Sequence, residues 1–245
     1  MFLPSLLHHR SCAVSCEPSV PDIFSLLCWN VHKNNNSNVD FKAYLQNLEN
    51  NPDFLLLQEA NFRDDAPFTL PNYAFDAAAN LEVKKTFYGV LTASRVESCR
   101  AEAFLSQGKE SIFGPHKSLL LSRYLFEDKT ELLILNVHAI NFRENKSYQR
   151  ELERFLTLIR NHEGPLIVAG DFNTWNKTRM KNLGRLIADM GLKPVPLEST
   201  DAVKSFMGKP LDFILYRDLE LQTFSCAHLP KLSDHNPLFA TFKKL

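Results

Sequence analysis

Short apolar runs that stop on a carboxylate, an amide or an imidazole recur along this chain, and they limit the folds open to it. Leu26-Leu27-Cys28-Trp29 ends at Asn30, and Phe54-Leu55-Leu56-Leu57 ends at Gln58-Glu59. Leu133-Ile134-Leu135 leads through Asn136 and Val137 to His138, and Leu166-Ile167-Val168-Ala169 closes on Gly170-Asp171. Apolar runs of about 4–8 residues bounded by polar or turn residues read as buried strands. Between them, apolar residues at 41, 44, 45 and 48, and at 148, 152, 155, 156 and 159, keep helical spacing. A further helix is expected over about 179–190. Strands expected over about 86–93, 98–105, 118–126 and 132–139 follow one another through short turns, so part of the sheet should be antiparallel. Three more are expected over about 211–216, 220–227 and 237–243. Strands interleaved with helices in this way predict a layered α/β domain over residues 24–245. Residues 1–23 carry Pro4, Pro18 and Pro21 without sustained periodicity and read as an N-terminal tail.

Charge excludes one class of function. The 28 Lys+Arg balance 28 Asp+Glu, so the chain is not a cationic protein that coats nucleic acid through its overall field. No apolar run approaches the ~18 residues that a membrane-spanning helix needs. The apolar start, Met1 to Leu7, is interrupted by His8-His9-Arg10 and does not follow the order of a secretory signal. Five cysteines, at 12, 16, 28, 99 and 226, neither pair off as a disulfide framework nor show zinc spacing. Reduced thiols and a cytoplasmic location are the expectation.

The polar residues at the strand ends carry the chemistry. Asp171 and Asn173 follow one strand, Asp212 opens another, and Asp234-His235 precede the last. Each has a bland reading alone. Glu59 would serve as a solvated loop residue, His138 as a satisfied core histidine, Asp171 as a helix cap and Asp212 as a turn residue. Those readings do not combine easily, because open α/β sheets place ligand sites at strand ends.

The ordered set Trp29-Asn30, Gln58-Glu59, Asn136-Val137-His138, Gly170-Asp171-Phe172-Asn173, Leu211-Asp212-Phe213 and Ser233-Asp234-His235-Asn236-Pro237 resembles the endonuclease/exonuclease/phosphatase superfamily. The stretches from Asn136 to Phe142, from Gly170 to Trp175 and from Pro210 to Phe213 resemble its bacterial YafD-type branch. The resemblance implies a four-layer α/β sandwich, with two packed mixed sheets flanked by helices as in DNase I. It also implies a phosphoesterase using Mg²⁺ or Mn²⁺, with a phosphate-ester substrate, nucleic acid first among them, and no protein partner.

By the same resemblance Glu59, Asn30 and Asp234 would hold the metal. Asp171 would aim and deprotonate a water, with Asn173 holding that water or a phosphate oxygen. His235, oriented by Asp212, and His138 would contact the phosphate. Whether Asp171 or His235 is the base stays open at this level. His32 stands two positions after Asn30, where abasic-site endonucleases carry an Asp. Asn136, Trp175, Lys177 and Lys181 are candidate substrate contacts, Trp175 by stacking and the lysines, with Arg185, as one helix face toward a polyanion. Lys117 and Arg143 lie near strand ends and have only position in their favour. A phosphomonoesterase or lipid phosphodiesterase would use the same residues, and a silent binding module is the reading from another class.

Overall fold

The computed structural model describes residues 5–9, 16–33, 38–48, 51–63, 70, 72–109, 116–141, 144–197 and 202–245. The strands are β1 (Ser5–His9), β2 (Ile23–Asn30), β3 (Phe54–Arg63), β4 (Ala74–Val83), β5 (Thr86–Ser94), β6 (Arg100–Lys109), β7 (His116–Leu125) and β8 (Glu131–His138). They continue with β9 (Leu166–Asp171), β10 (Lys193–Pro194), β11 (Ser205–Phe206), β12 (Lys209–Pro210), β13 (Asp212–Arg217), β14 (Leu219–Cys226) and β15 (Leu238–Lys244). The helices are α1 (Val39–Gln46), α2 (Asn145–Ile159) and α3 (Lys177–Asp189).

Among the described residues, one sheet has the order β1-β4-β5-β3-β2-β15-β14 and the other β10-β13-β9-β8-β7-β6, with β11 and β12 forming a small hairpin. Both large sheets are mixed, because β2–β3 and β8–β9 run parallel and the other pairs antiparallel. Side chains alternate across each strand. Phe24, Leu26 and Cys28 from one sheet meet Ile134, Ile167, Ala169 and Ile214 from the other in a shared core. On the far side of the first sheet, Leu27, Trp29 and Leu55 pack on Phe41 and Leu45 of α1. On the far side of the second, Leu133, Leu135 and Val168 pack on Tyr148, Leu152, Leu183 and Leu186 of α2 and α3. The result is the expected four-layer sandwich.

The same alternation fixes where the polar residues go. Counting in twos, Asn30 continues the row of Phe24, Leu26 and Cys28, and Gln58 the row of Phe54 and Leu56. Likewise His138 ends the row that starts at Leu132, Asp171 the row of Ile167 and Ala169, and Asp212 the row of Ile214 and Tyr216. Each polar residue is therefore the last member of an inward-facing apolar row, at one end of the inter-sheet core. Gly170 permits the crowding there. Its φ is +143°, and a Cβ would stand 2.0 Å from the Val137 carbonyl oxygen on β8, so only glycine fits.

Several sequence expectations are corrected. Ser5–His9, expected in a tail, forms a strand antiparallel to β4 at the sheet edge. β4, the alanine-rich stretch Ala74–Val83, was not expected as a strand. It is held between β1 and β5, where tertiary pairing overrides weak propensity. β3 does not stop at Glu59 but runs on to Arg63 through a bulge between Leu57 and Ala60. Cys16 is disulfide-bonded, so the reduced-thiol expectation, and the support it lends to a cytoplasmic location, fails at that residue. Cys28, Cys99 and Cys226 carry free thiols, and Cys12 lies outside the described residues. No helix among the described residues is long and apolar enough to cross a membrane.

Candidate active site

Register brings three chemically active side chains into one line. On the parallel β8–β9 pair His138 stands opposite Asp171, and on the antiparallel β9–β13 pair Asp212 stands opposite Asp171. Three adjacent strands thus present His138, Asp171 and Asp212 side by side, all buried. His235 reaches the row from the loop before β15, and its Nδ1 lies 2.7 Å from Asp212 Oδ2. The loop is pinned by Ser233 Oγ, which donates to the Asn30 carbonyl at 2.7 Å, and by Trp29 Nε1, which donates to the His235 carbonyl at 2.8 Å. Ligand atoms of Asp171, Asp212 and His235 all lie within 4.8 Å of one another, a group able to hold a metal ion.

Asp171 is the most connected carboxylate. Its Oδ1 accepts from the Asn173 N–H at 2.9 Å, and its Oδ2 from Asn30 Nδ2 at 3.1 Å. His138 Nε2 and His235 Nε2 stand 3.9 and 4.0 Å from the same Oδ2. Burial, then repulsion from Asp212, lifts Asp171 to about 7, against the pull of His235 and the two hydrogen bonds. His235 moves up too, to about 9: burial lowers it, but the Asp212 charge and hydrogen bond, with Asp171 and Asp234, outweigh burial. His138 is held well below the usual histidine value by burial and by the nearby cations Lys117, His235 and Lys33. At neutral pH the site therefore holds one neutral imidazole, one protonated imidazole and a carboxylate near its titration point.

Glu59 sits across from this row because of the β3 bulge. It takes a left-handed φ of 51°, which re-aims its side chain out of the strand's alternation. Its carboxylate is ringed by positive or ionisable nitrogens: His138 Nε2 at 3.7 Å, Lys33 Nζ at 3.9 Å, and Lys117 Nζ and His32 Nδ1 both at 4.0 Å. Asp234 is half exposed and pairs with Lys204 Nζ at 3.2 Å. Burial pushes its carboxyl up, but His235, Lys204 and His32 outweigh that and hold it lower than usual. Asn173 has a φ of 51° and donates through Nδ2 to the Ala139 carbonyl at 3.0 Å. One of its amide protons is thus committed, and the other donor and the oxygen remain to be used.

An apolar cavity of about 310 Å³ adjoins the row through Asn173 and is lined by Asn141, Trp175, Phe206 and Leu211. Its Trp175 wall is fixed from behind by Arg179, whose buried guanidinium lies between Tyr148 and Trp175, 4.4 and 4.9 Å from their ring centres. The same group donates to the Ile140 and Asn173 carbonyls at 3.0 Å and to the Asn141 carbonyl. In the sequence Arg179 reads only as the start of a helix, which gives no sign that this arginine points inward.

The structure does not bring every candidate to the site. Asn136 is buried one step deeper in the β8 row, and its amide joins the two sheets. It accepts from Gln58 Nε2 at 2.8 Å and donates to the Leu91 carbonyl at 3.0 Å and Thr92 Oγ1 at 3.3 Å. It cannot contact substrate; it holds the sheets together beneath His138. Replacing it with Leu leaves several buried polar groups unpaired and should lower unfolding free energy by about 3 kcal/mol. Urea denaturation measures that. Lys177 and Lys181 are exposed on α3, outside the hydrogen-bonded cluster. Lys117, by contrast, is buried at Glu59, closer to the chemistry than its position in the sequence suggested. Arg143 lies outside the described residues.

Comparison with known proteins agrees with this geometry. A sequence model of the endonuclease/exonuclease/phosphatase family matches residues 27–235. A UPF0294 (YafD-type) protein of Vibrio cholerae is 34% identical over 224 residues, covering 90% of this chain and 78% of the relative. Among solved structures, D. rerio TDP2 complexed with a single-strand DNA product superposes with a TM-score of 0.66 at 16% identity, over 91% of this chain and 100% of that one. A Bacteroides thetaiotaomicron mannosyl-6-phosphatase does so with a TM-score of 0.62 at 16% identity, over 89% and 99%. The structural likenesses speak to the fold.

Proposed function

The chain belongs to the endonuclease/exonuclease/phosphatase family, and from that premise we propose that it is a divalent-metal-dependent phosphodiesterase acting on nucleic acid. The observation that carries this reading is the line of His138, Asp171 and Asp212 across three strands, with His235 closing on Asp212 and Glu59 facing them. Hard divalent ions prefer oxygen ligands. Glu59, part exposed, offers such oxygens, as do the Asn30 amide and the half-exposed Asp234, and an ion there would take over from the lysines that now face Glu59. Mg²⁺ or Mn²⁺ bound there would neutralise the phosphate and help the leaving oxygen depart.

The protein's own groups do the rest. Asp171, with a proton affinity near the working pH, accepts the proton of the attacking water. Asn173 orients that water or a non-bridging oxygen. His235, kept protonated by Asp212, places a fixed positive charge where the phosphate gains negative charge in the transition state. Neutral His138 donates one hydrogen bond to a phosphate oxygen.

The cavity favours nucleic acid over a small polar phosphate. Trp175, Phe206 and Leu211 offer a flat apolar wall beside the reacting centre, suited to a base or sugar rather than to an inositol ring. Lys177, at the start of α3, and Lys181 would follow the strand's phosphates.

The test is a panel of duplex and single-stranded DNA, RNA, sugar and inositol phosphates and sphingomyelin, each with Mg²⁺, Mn²⁺ or chelator. Strand cleavage abolished by chelator is expected. Trp175→Ala should raise KM for an oligonucleotide about 5- to 160-fold, the worth of one base stack, and leave a small synthetic diester unaffected. Release of inorganic phosphate from monoesters without strand cleavage would replace this reading with a phosphomonoesterase. Hydrolysis indifferent to chelator would remove the metal.

A further inference from the structure

Two ammonium groups face Glu59, and burial sets them apart. Lys33 Nζ stands 3.9 Å from Glu59 Oε2 on a side chain that is 58% exposed. Lys117 Nζ stands 4.0 Å from Glu59 Oε1 on a side chain that is 9% exposed. Lys33 can turn into water at little cost. Lys117 cannot, because a desolvated ammonium needs an anion beside it.

The backbone holds Lys117 in place as well. Its N–H donates to Ser106 Oγ on β6 at 2.9 Å, and the carbonyl of the preceding His116 accepts from Asn80 Nδ2 on β4. The ammonium is thereby delivered to the Glu59 oxygen that His138 Nε2 also faces, at 3.7 Å. His138 Nε2 is in turn 3.9 Å from Asp171 Oδ2. Lys117 therefore stands at the strand row itself, where a phosphate beside His138 would meet it. A divalent ion on Glu59 competes with the ammonium for the same carboxylate and repels it. A phosphodiester arriving at the row brings an anion that the ammonium can take instead.

Resting on the phosphodiesterase reading, we propose that Lys117 exchanges partners: it holds Glu59 until the ion binds there, and then pairs with a non-bridging oxygen of the phosphodiester. Lys117 thus opposes binding of the ion alone and favours binding of the substrate. The diester relieves the repulsion that the ion creates, so each of the two strengthens the binding of the other.

Lys117→Met, close in shape and uncharged, separates the two effects by their sign. Mn²⁺ titration of the full chain without substrate, followed by electron paramagnetic resonance of the free ion, should show at least about tenfold tighter binding in the variant, the effect of removing a unit charge from a partly buried site. KM should rise about 10- to 160-fold, the worth of a hydrogen bond to a charged group, for an oligonucleotide and for a small synthetic diester alike. Lys117→Gln should show the same two signs. Lys117→Arg keeps the charge and should change Mn²⁺ affinity by less than about threefold. Lys33→Met, which removes a solvated ammonium, should change it by less than about fivefold. Mn²⁺ affinity that is unchanged or weaker in both uncharged Lys117 variants overturns the exchange, because the ammonium then does not compete for Glu59. Tighter ion binding with an unchanged KM for the small diester overturns it too, because the ammonium then never reaches the phosphate. Either result beside normal wild-type cleavage leaves the phosphodiesterase reading standing. A wild-type protein that cleaves no diester removes that reading and the proposal with it.

Discussion

Asp171→Asn is expected to lower kcat by about 10²–10⁴-fold and, in the same protein, to raise resistance to unfolding above neutral pH. The two effects share one cause. Asp171 is buried beside Asp212 and holds its proton up to about 7, whereas an unfolded chain releases it near the ordinary carboxylate value. The folded state therefore binds the proton more tightly than the unfolded state does. Ionising Asp171 lowers stability progressively as pH rises from about 4 to about 7, and the full cost is present above that. Asn carries no charge and escapes the cost. It can still accept from the Asn173 N–H, although it loses the bond from Asn30 Nδ2. Urea midpoints in chelator should then favour the variant by more at pH 8 than at pH 5, while single-turnover rates collapse. A rate within tenfold of wild type would remove Asp171 from proton transfer. An equal stability difference at both pH values would remove the strain attributed to its charge.

The two outcomes also separate the candidate bases. The sequence left Asp171 and His235 as equals, because residue type and order do not report protonation. Their environments push them apart: His235 is carried up to about 9 by the partner it touches and is occupied by a proton at neutral pH, whereas Asp171 titrates near neutrality. A base must be empty when water arrives, and a positive clamp must be full. The arrangement favours Asp171 for the first task and His235 for the second.

What the sequence made legible follows from what a period of two encodes. Apolar rows mark strand faces, so Asn30, Asp171 and Asp212 could be read as ends of rows, and their common depth follows once the strands are in register. Depth itself is not written in any one strand. Asn136 has the same face and nearly the same place as His138, yet two residues of depth convert a substrate candidate into a bond between sheets. Glu59 was legible as a strand-end carboxylate, but the bulge that turns it toward the site was not, because no glycine marks its left-handed backbone. The alanine-rich β4 and the inward Arg179 depend wholly on their neighbours. Lys117 has only its place near a strand end, and His32 only its place two after Asn30, until strands distant in sequence bring Glu59 beside them.

Asp212→Asn tests whether those opposed proton affinities work as one device. The Asp212 carboxylate raises His235 and also raises Asp171, so its loss should lower both. For His235 burial is then opposed by Asp171 and Asp234 alone, and its titration should fall below about 9, lowering the occupancy of the clamp at pH 8. His235 has its folded-state proton affinity raised, so its ion pair with Asp212 contributes stability in full below about 6.5 and loses it as pH rises through about 9. The variant should therefore be less stable than wild type at pH 6, with the deficit shrinking by pH 9.5. The rate profile should change at both limbs. The acid limb moves down as Asp171 becomes a weaker base, and the alkaline limb moves down further as His235 loses its proton early. The active window closes, with kcat at pH 8 down about 100-fold or more. Nitrogen-15 shifts of the His235 ring across pH 5–10 read the displacement directly. A His235 titration that stays near 9 in the variant would show that Asp212 is only a structural partner. If the alkaline limb held its place while His235 itself shifted, the protonated imidazole would have no part in the reaction, and the charge on the phosphate would have to be met by Lys117 and the metal-side residues alone.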